Sequence, residues 1–337
     1  MKLENITTPT SEELLAEFQF IATATYKGVS GVWVVDSGKL GPTVAVTIQT
    51  HGNEICGLAA LWYLRNAFGL ASKVVQGRVM VVLNNLRATT SYFALAGKTL
   101  DETMDARYCD LNMNRLPRNL RELTAPREYE LKRALELLPI WGEFDAALDI
   151  HSASVPIRPI IIQVGLHERV PTLIERFPAP THYIGIEEHQ SDAPMLTFCG
   201  NPHGPSIPVV GIEAGCHEER GARQVASACA LLFLEGMGAI ADVGLDLPKM
   251  KEEDRRKFQI TGSFYFPPPN QSDWELTRNL IPEASLVRNE EVIARNRKTG
   301  ETHTSHRTDL IALPPKGKIP RKPKEEVFFY CRIVEPA

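Results

Sequence analysis

Short apolar runs bounded by glycine alternate with helix-like patterns through the first three quarters of the 337-residue chain, and that alternation most narrows the fold. "GPTVAVTIQ" (41–49) and "GRVMVVLNN" (77–85) are brief and β-branched, as strands covered on both faces are. Between them Ile55, Leu58, Ala59, Trp62 and Leu64 recur at roughly helical spacing, ending near Gly69. "REYELKRALELLP" (127–139) predicts another amphipathic helix, closed by its proline. Strand patterns resume at "DAALDIH" (145–151), "RPIIIQVG" (158–165) and "PVVGIEAG" (208–215), and a helix is expected over 222–235. Such alternation builds an α/β domain with a largely parallel sheet and helices on both faces.

The character changes after "PKMKEEDRRKF" (248–258). Beyond it come "PPP" (267–269), short β-prone pieces over 284–313, and a clear strand pattern in "EEVFFYCRIVE" (325–335). The reading is a catalytic α/β domain over 1–250 and a small all-β module over 258–337. A net charge of -4 leaves no electrostatic footprint for nucleic acid or an anionic membrane. The basic run "KGKIPRKPK" (316–324) is broken by Pro320 and Pro323 and reads as a solvated loop. The N-terminal stretch carries acids and no signal-peptide core, and the most apolar helix candidate, 225–234, is too short to span a bilayer. Six dispersed cysteines without a Cys-x-x-Cys pair predict reduced thiols and a cytoplasmic location.

Chemistry concentrates at strand ends, where open α/β sheets form their sites. His51 and Glu54 follow the first buried strand, Asp149 and His151 share a face of a later one, and Glu213 sits deep in "VVGIEAG". Two imidazoles and a carboxylate suit a catalytic zinc, with His51 and Glu54 as the short-spaced pair and His151 as the distant third ligand. An ion held this way lowers the pKa of bound water towards neutrality. Glu213 suits the general base beside it, since burial raises a carboxyl pKa towards the working range. A lone His-x-x-Glu is a weak signal, and Glu54 near a helix start would be favourable for dipole reasons alone. "HEERG" (217–221) and "HERVP" (167–171) lack the second histidine of a His-Glu-x-x-His zinc helix. No nucleophile elbow or phosphate loop is present.

"THGNE" (50–54), "RYCDLNMNR" (107–115), "LDIHSAS" (148–154) and "PVVGIEAG" (208–215) occur in the order found in the succinylglutamate desuccinylase/aspartoacylase family, relatives of the zinc carboxypeptidases, which the chain resembles from about 43 to 221. The resemblance implies a zinc-carboxypeptidase-like sheet, mostly parallel or mixed, with His51, Glu54 and His151 holding one zinc ion and Glu213 as general base. It implies that Arg107 stabilises the oxyanion and that Asn114 and Arg115 grip a substrate carboxylate. Aligned without a gap, Asn112 stands where the family usually has an aspartate supporting a ligand histidine; a two-residue gap puts Asp110 there instead. The segment 199–206 shows no arginine of the kind aspartoacylases use for the substrate's side-chain carboxylate, which argues against N-acetylaspartate. Arg158 is a candidate for another acidic group, and a structural residue otherwise.

The implied activity is a zinc-dependent amidohydrolase that removes an acyl group from a small N-acyl amino acid. The alternatives are a metallocarboxypeptidase or peptide amidase, and an inactive relative that binds a metabolite. Retention of all three ligands and Glu213 argues against the last. No nucleic-acid or membrane partner is expected; the oligomeric state, a homo-oligomer included, stays open.

Overall fold

The computed structural model describes residues 1–95, 99–190, 192–204, 206–250, 254–265, 273–277, 285–305, 308–312 and 326–334. Its centre is an eleven-stranded mixed sheet. Val209–Cys216, Ala146–Ala153, Thr43–Ile48 and Arg78–Leu83 lie side by side in parallel. Val32–Asp36 closes one side antiparallel to Arg78–Leu83. On the other side Ile160–Gln163 runs antiparallel to Val209–Cys216, and Thr181–Ile184 follows in parallel.

Alternate residues of the central strands feed two cores. Val44, Val46 and Ile48 pack with the helices Cys56–Trp62 and Arg220–Gly236, while Ala45 and Met80 face the helix Tyr129–Trp141. Apolar cover on both faces is why these strands read as unbroken hydrophobic runs. The helix expected to stop at Pro139 continues through it to Trp141. A proline so near the end removes one ladder bond, and the fully buried Ile140 and Trp141 hold the last turn in place. Among the described residues no helix is long and apolar enough to cross a membrane.

Three strands gave no sequence signal. Val32–Asp36 is only partly buried, Thr181–Ile184 has four residues and a histidine among them, and Arg256–Phe264 begins within the charged run over 248–258. The tail holds strands and no helix among its described residues. Arg256–Gln259 pairs in parallel with Thr181–Ile184, and Phe328–Ile333, Asp309–Ala312 and Ser285–Val287 extend the same sheet. A separate three-stranded antiparallel sheet holds Trp274–Leu276, Val292–Asn296 and Thr302–Thr304. The basic run 316–324 and the prolines at 267–269 lie outside the described residues.

Candidate metal and catalytic site

The strand Thr43–Ile48 ends where Gln49 takes a positive φ of 54°, uncommon for a side chain of its kind, and the backbone turns sharply. Gly52 is required there by crowding: a Cβ would lie 2.3 to 2.5 Å from backbone atoms of Ala88 and Ala106. The Gly52 N–H donates to the Arg107 carbonyl at 2.9 Å, which brings the 104–107 segment against the turn. Gly57 lets the following helix approach the strand, since its Cβ would meet the Ile48 Cβ at 2.8 Å. The small residues of "HGNEICG" therefore fix where His51 and Glu54 stand.

Parallel pairing of the neighbouring strands completes the cluster. Val209–Cys216 sets Glu213 beside His151, and Ala146–Ala153 carries Asp149 and His151 on one face. His51 Nδ1 lies 2.7 Å from Glu54 Oε1, and His151 Nδ1 lies 2.7 Å from Glu54 Oε2. Ligand atoms of His51, Glu54 and His151 fall within 4.8 Å of one another, so this buried trio could hold a metal ion. The ring nitrogens facing away find oxygen acceptors: His51 Nε2 is 2.9 Å from Asn112 Oδ1, and His151 Nε2 is 2.6 Å from Asp149 Oδ2. Such partners fix ring orientation in metal sites. His51 Nδ1 is buried without a hydrogen-bond partner despite its proximity to Glu54. An orphaned nitrogen beside a carboxylate suits a shared cation, so the residues present fit the implied metal.

The electrostatics reflect the crowding of buried charge in this cluster. Burial and then the Arg107 guanidinium push His51 down to about 4, leaving a neutral imidazole. Burial works to raise Glu54, but His51, Arg107 and His151 outweigh it and hold the carboxyl well below its usual range. Burial works to lower His151, but Asp149 and Glu54 on either side raise it well above the usual imidazole range. Glu213 is raised to about 7, by burial first and the Glu54 charge second, and its Oε2 has no hydrogen-bond partner. Three buried carboxylates thus share one small volume, and a dication would offset their repulsion.

Arg107 donates to Glu54 and approaches His51 Nε2 at 3.1 Å. Asn114 Nδ2 lies 3.3 Å from His151 Nε2. Arg115 reaches the cavity wall, but its guanidinium is engaged by the buried Glu326, with Nε donating to Oε2 at 2.8 Å. The Gln190 side-chain oxygen, in the orientation that satisfies both partners, accepts from Arg115 Nη1 and Nη2 at 3.1 and 3.2 Å. The ungapped reading of "RYCDLNMNR" matches the geometry, since Asn112 meets His51 whereas Asp110 accepts from the Tyr129 N–H. Arg158 is exposed.

Several contributors escaped the sequence. Thr47 and Thr50 donate hydroxyls to Asp149 at 2.7 and 3.0 Å, and Asn84 Nδ2 donates to Thr50 at 2.9 Å. The strand periodicity put Thr47 in the run but gave no partner for it. His217, set aside because "HEERG" lacks a second histidine, is buried with Nδ1 2.9 Å from Ser152 Oγ. Glu326 had no signal at all, lying 211 residues from Arg115.

The cluster opens into a cavity of about 950 Å³, counting its mouth. Against known proteins, residues 40–172 match the family described as the succinylglutamate desuccinylase/aspartoacylase catalytic domain. No curated protein matches the sequence. A succinylglutamate desuccinylase/aspartoacylase from Rhodobacter sphaeroides is 21% identical with a TM-score of 0.58, covering 90% of this chain and 89% of that one. Murine aminoacylase 3 is 20% identical with a TM-score of 0.58, over 88% of this chain and 96% of its own. The Vibrio cholerae succinylglutamate desuccinylase is 12% identical with a TM-score of 0.62, over 90% and 85%. Residues 40–172 thus match the succinylglutamate desuccinylase/aspartoacylase catalytic domain, and the chain shares its fold with these structures along most of its length.

Proposed function

We propose that the chain is a zinc-dependent deacylase that hydrolyses the amide of an N-acyl amino acid or a similar small amide. The observation that carries this is the buried His51–Glu54–His151 group with the Glu213 carboxyl beside it, whose Oε2 has no hydrogen-bond partner. His51, Glu54 and His151 would hold one zinc ion, which supplies a nucleophilic water and a Lewis acid for the carbonyl. Glu213 takes the proton from the attacking water as the new C–O bond forms. It passes that proton to the amide nitrogen as the C–N bond breaks, releasing a carboxylic acid and an amine. Arg107 offsets the charge that builds on the carbonyl oxygen. Asn114 and Arg115 receive the substrate's carboxylate, with the Glu326 carboxylate holding that place in the resting chain.

Residues 1–250 are the proposed catalytic unit, and the β-rich tail over 258–337 supplies part of the cavity wall. All six cysteines are free, which supports a reducing, cytoplasmic setting. The test is metal content and turnover together. About one zinc per wild-type chain, lost in His151→Ala, with hydrolysis of N-acyl amino acids, is the expected result. Wild type that neither contains nor takes up zinc would sink the reading, and a preference for dipeptides would move the chain to the carboxypeptidases.

A further inference from the structure

The cavity has a polar end and an apolar floor, and the sheet register explains why. Residues paired directly across adjacent strands share a face. Asp149 pairs with Gly211, Gly211 with Ile162, and Ile162 with Tyr183, so one row crosses four strands away from the metal ligands. Three strand spacings make that row about 14 Å long. Ile160, Ile162, Val164, Tyr183, Ile260 and Phe329 line this part of the cavity. The last two come from the tail strands Arg256–Phe264 and Phe328–Ile333.

Gly211 is the opening in the row. It sits mid-strand in the buried run Val209–Cys216 and has no positive φ. A Cβ there would meet Ile162 at 3.5 Å and Leu196 at 3.9 Å, ordinary contact distances. Neither backbone conformation nor crowding requires glycine, so what its missing side chain provides is space between Asp149 and Ile162. A strand-interior glycine often marks close approach by a ligand.

The charges point the same way. Among the described residues lining the cavity there is no lysine, and the two arginines, Arg107 and Arg115, are bonded to Glu54 and Glu326. A second carboxylate, as on a succinyl or aspartyl group, would be desolvated on this floor without a cation to pair with.

Resting on the deacylase reading, we propose that the substrate carries an uncharged apolar group, aliphatic or aryl, lying over Gly211 and Ile162, and that dicarboxylic amides are poor substrates. Two ligand pairs test it: N-acetyl-L-leucine against N-acetyl-L-aspartate for the amine half, and N-hexanoylglycine against N-succinylglycine for the acyl half. Binding is measured by calorimetry on the zinc-loaded Glu213→Gln chain, and turnover on the zinc-loaded wild type.

In at least one pair the apolar member binds roughly 10–100-fold tighter. Gly211→Leu removes most of that preference by filling the floor. If the leucine variant does not fold, Gly211→Ala gives a smaller shift in the same direction. Equal or tighter binding of the acidic member in both pairs overturns the proposal. Turnover failing for every amide would sink the deacylase reading, whereas the calorimetry needs no chemistry and still decides what the floor accepts.

Discussion

Glu213 shares its surroundings with Glu54, Asp149 and His151, yet it is the carboxyl whose pKa is raised to about 7. A base must be deprotonated to act, so kcat/KM is expected to fall as pH drops through Glu213's pKa, with an acid limb at or below about pH 7. Glu213→Gln should lower kcat by at least about 10²-fold while leaving zinc bound. Wild-type turnover in that variant would show that the proton goes elsewhere. Asp149→Asn tests orientation instead, because the Asp149 carboxylate braces the outer nitrogen of His151. Zinc affinity, read by competition with a chromophoric chelator, should weaken about 10–100-fold. His51, Glu54, His151 and Glu213 were legible because strand ends in an α/β sheet are recognisable from the chain. Thr47, Thr50 and Asn84 were not, because a buried hydroxyl or amide announces no partner until the strands are in register.

Between one element and the next, the turn after Thr43–Ile48 is held by what glycine lacks. Gly52 ligates nothing, but any Cβ there runs into the backbone of Ala88 and Ala106. Gly52→Ala should therefore displace His51 from Glu54, giving a lower Tm and weaker zinc binding together. Normal zinc affinity in a stably folded Gly52→Ala chain would refute this account of the turn. The buried strands Thr43–Ile48, Arg78–Leu83, Ala146–Ala153 and Val209–Cys216 were readable for a related reason: cover on both faces leaves an apolar signature. Thr181–Ile184 and Arg256–Phe264 exist through their neighbours, with too little length or alternation to declare themselves.

At the scale of the whole molecule, the proposed zinc joins segments that are 97 residues apart in the chain, from Glu54 to His151. Binding to the folded state alone stabilises by about 2.7 kcal/mol when free zinc exceeds its Kd a hundredfold. Chelation should therefore lower Tm by several degrees, and readdition of zinc should restore it. An unchanged Tm would mean that no metal links those segments. Glu326 was invisible in the sequence because its partner Arg115 is 211 residues away.

The parallel seam between Thr181–Ile184 and Arg256–Gln259 has a consequence for motion. It ties Ile260, on the tail side of the cavity floor, to Tyr183 on the other, so an occupant touching both would clasp the two halves of the sheet. Amide hydrogens in both strands should then exchange with deuterium more slowly, and by similar factors, once an apolar ligand is bound, while those of the edge strand Val32–Asp36 keep their rates. Protection confined to one side of the seam would mean that the ligand rests on that side alone.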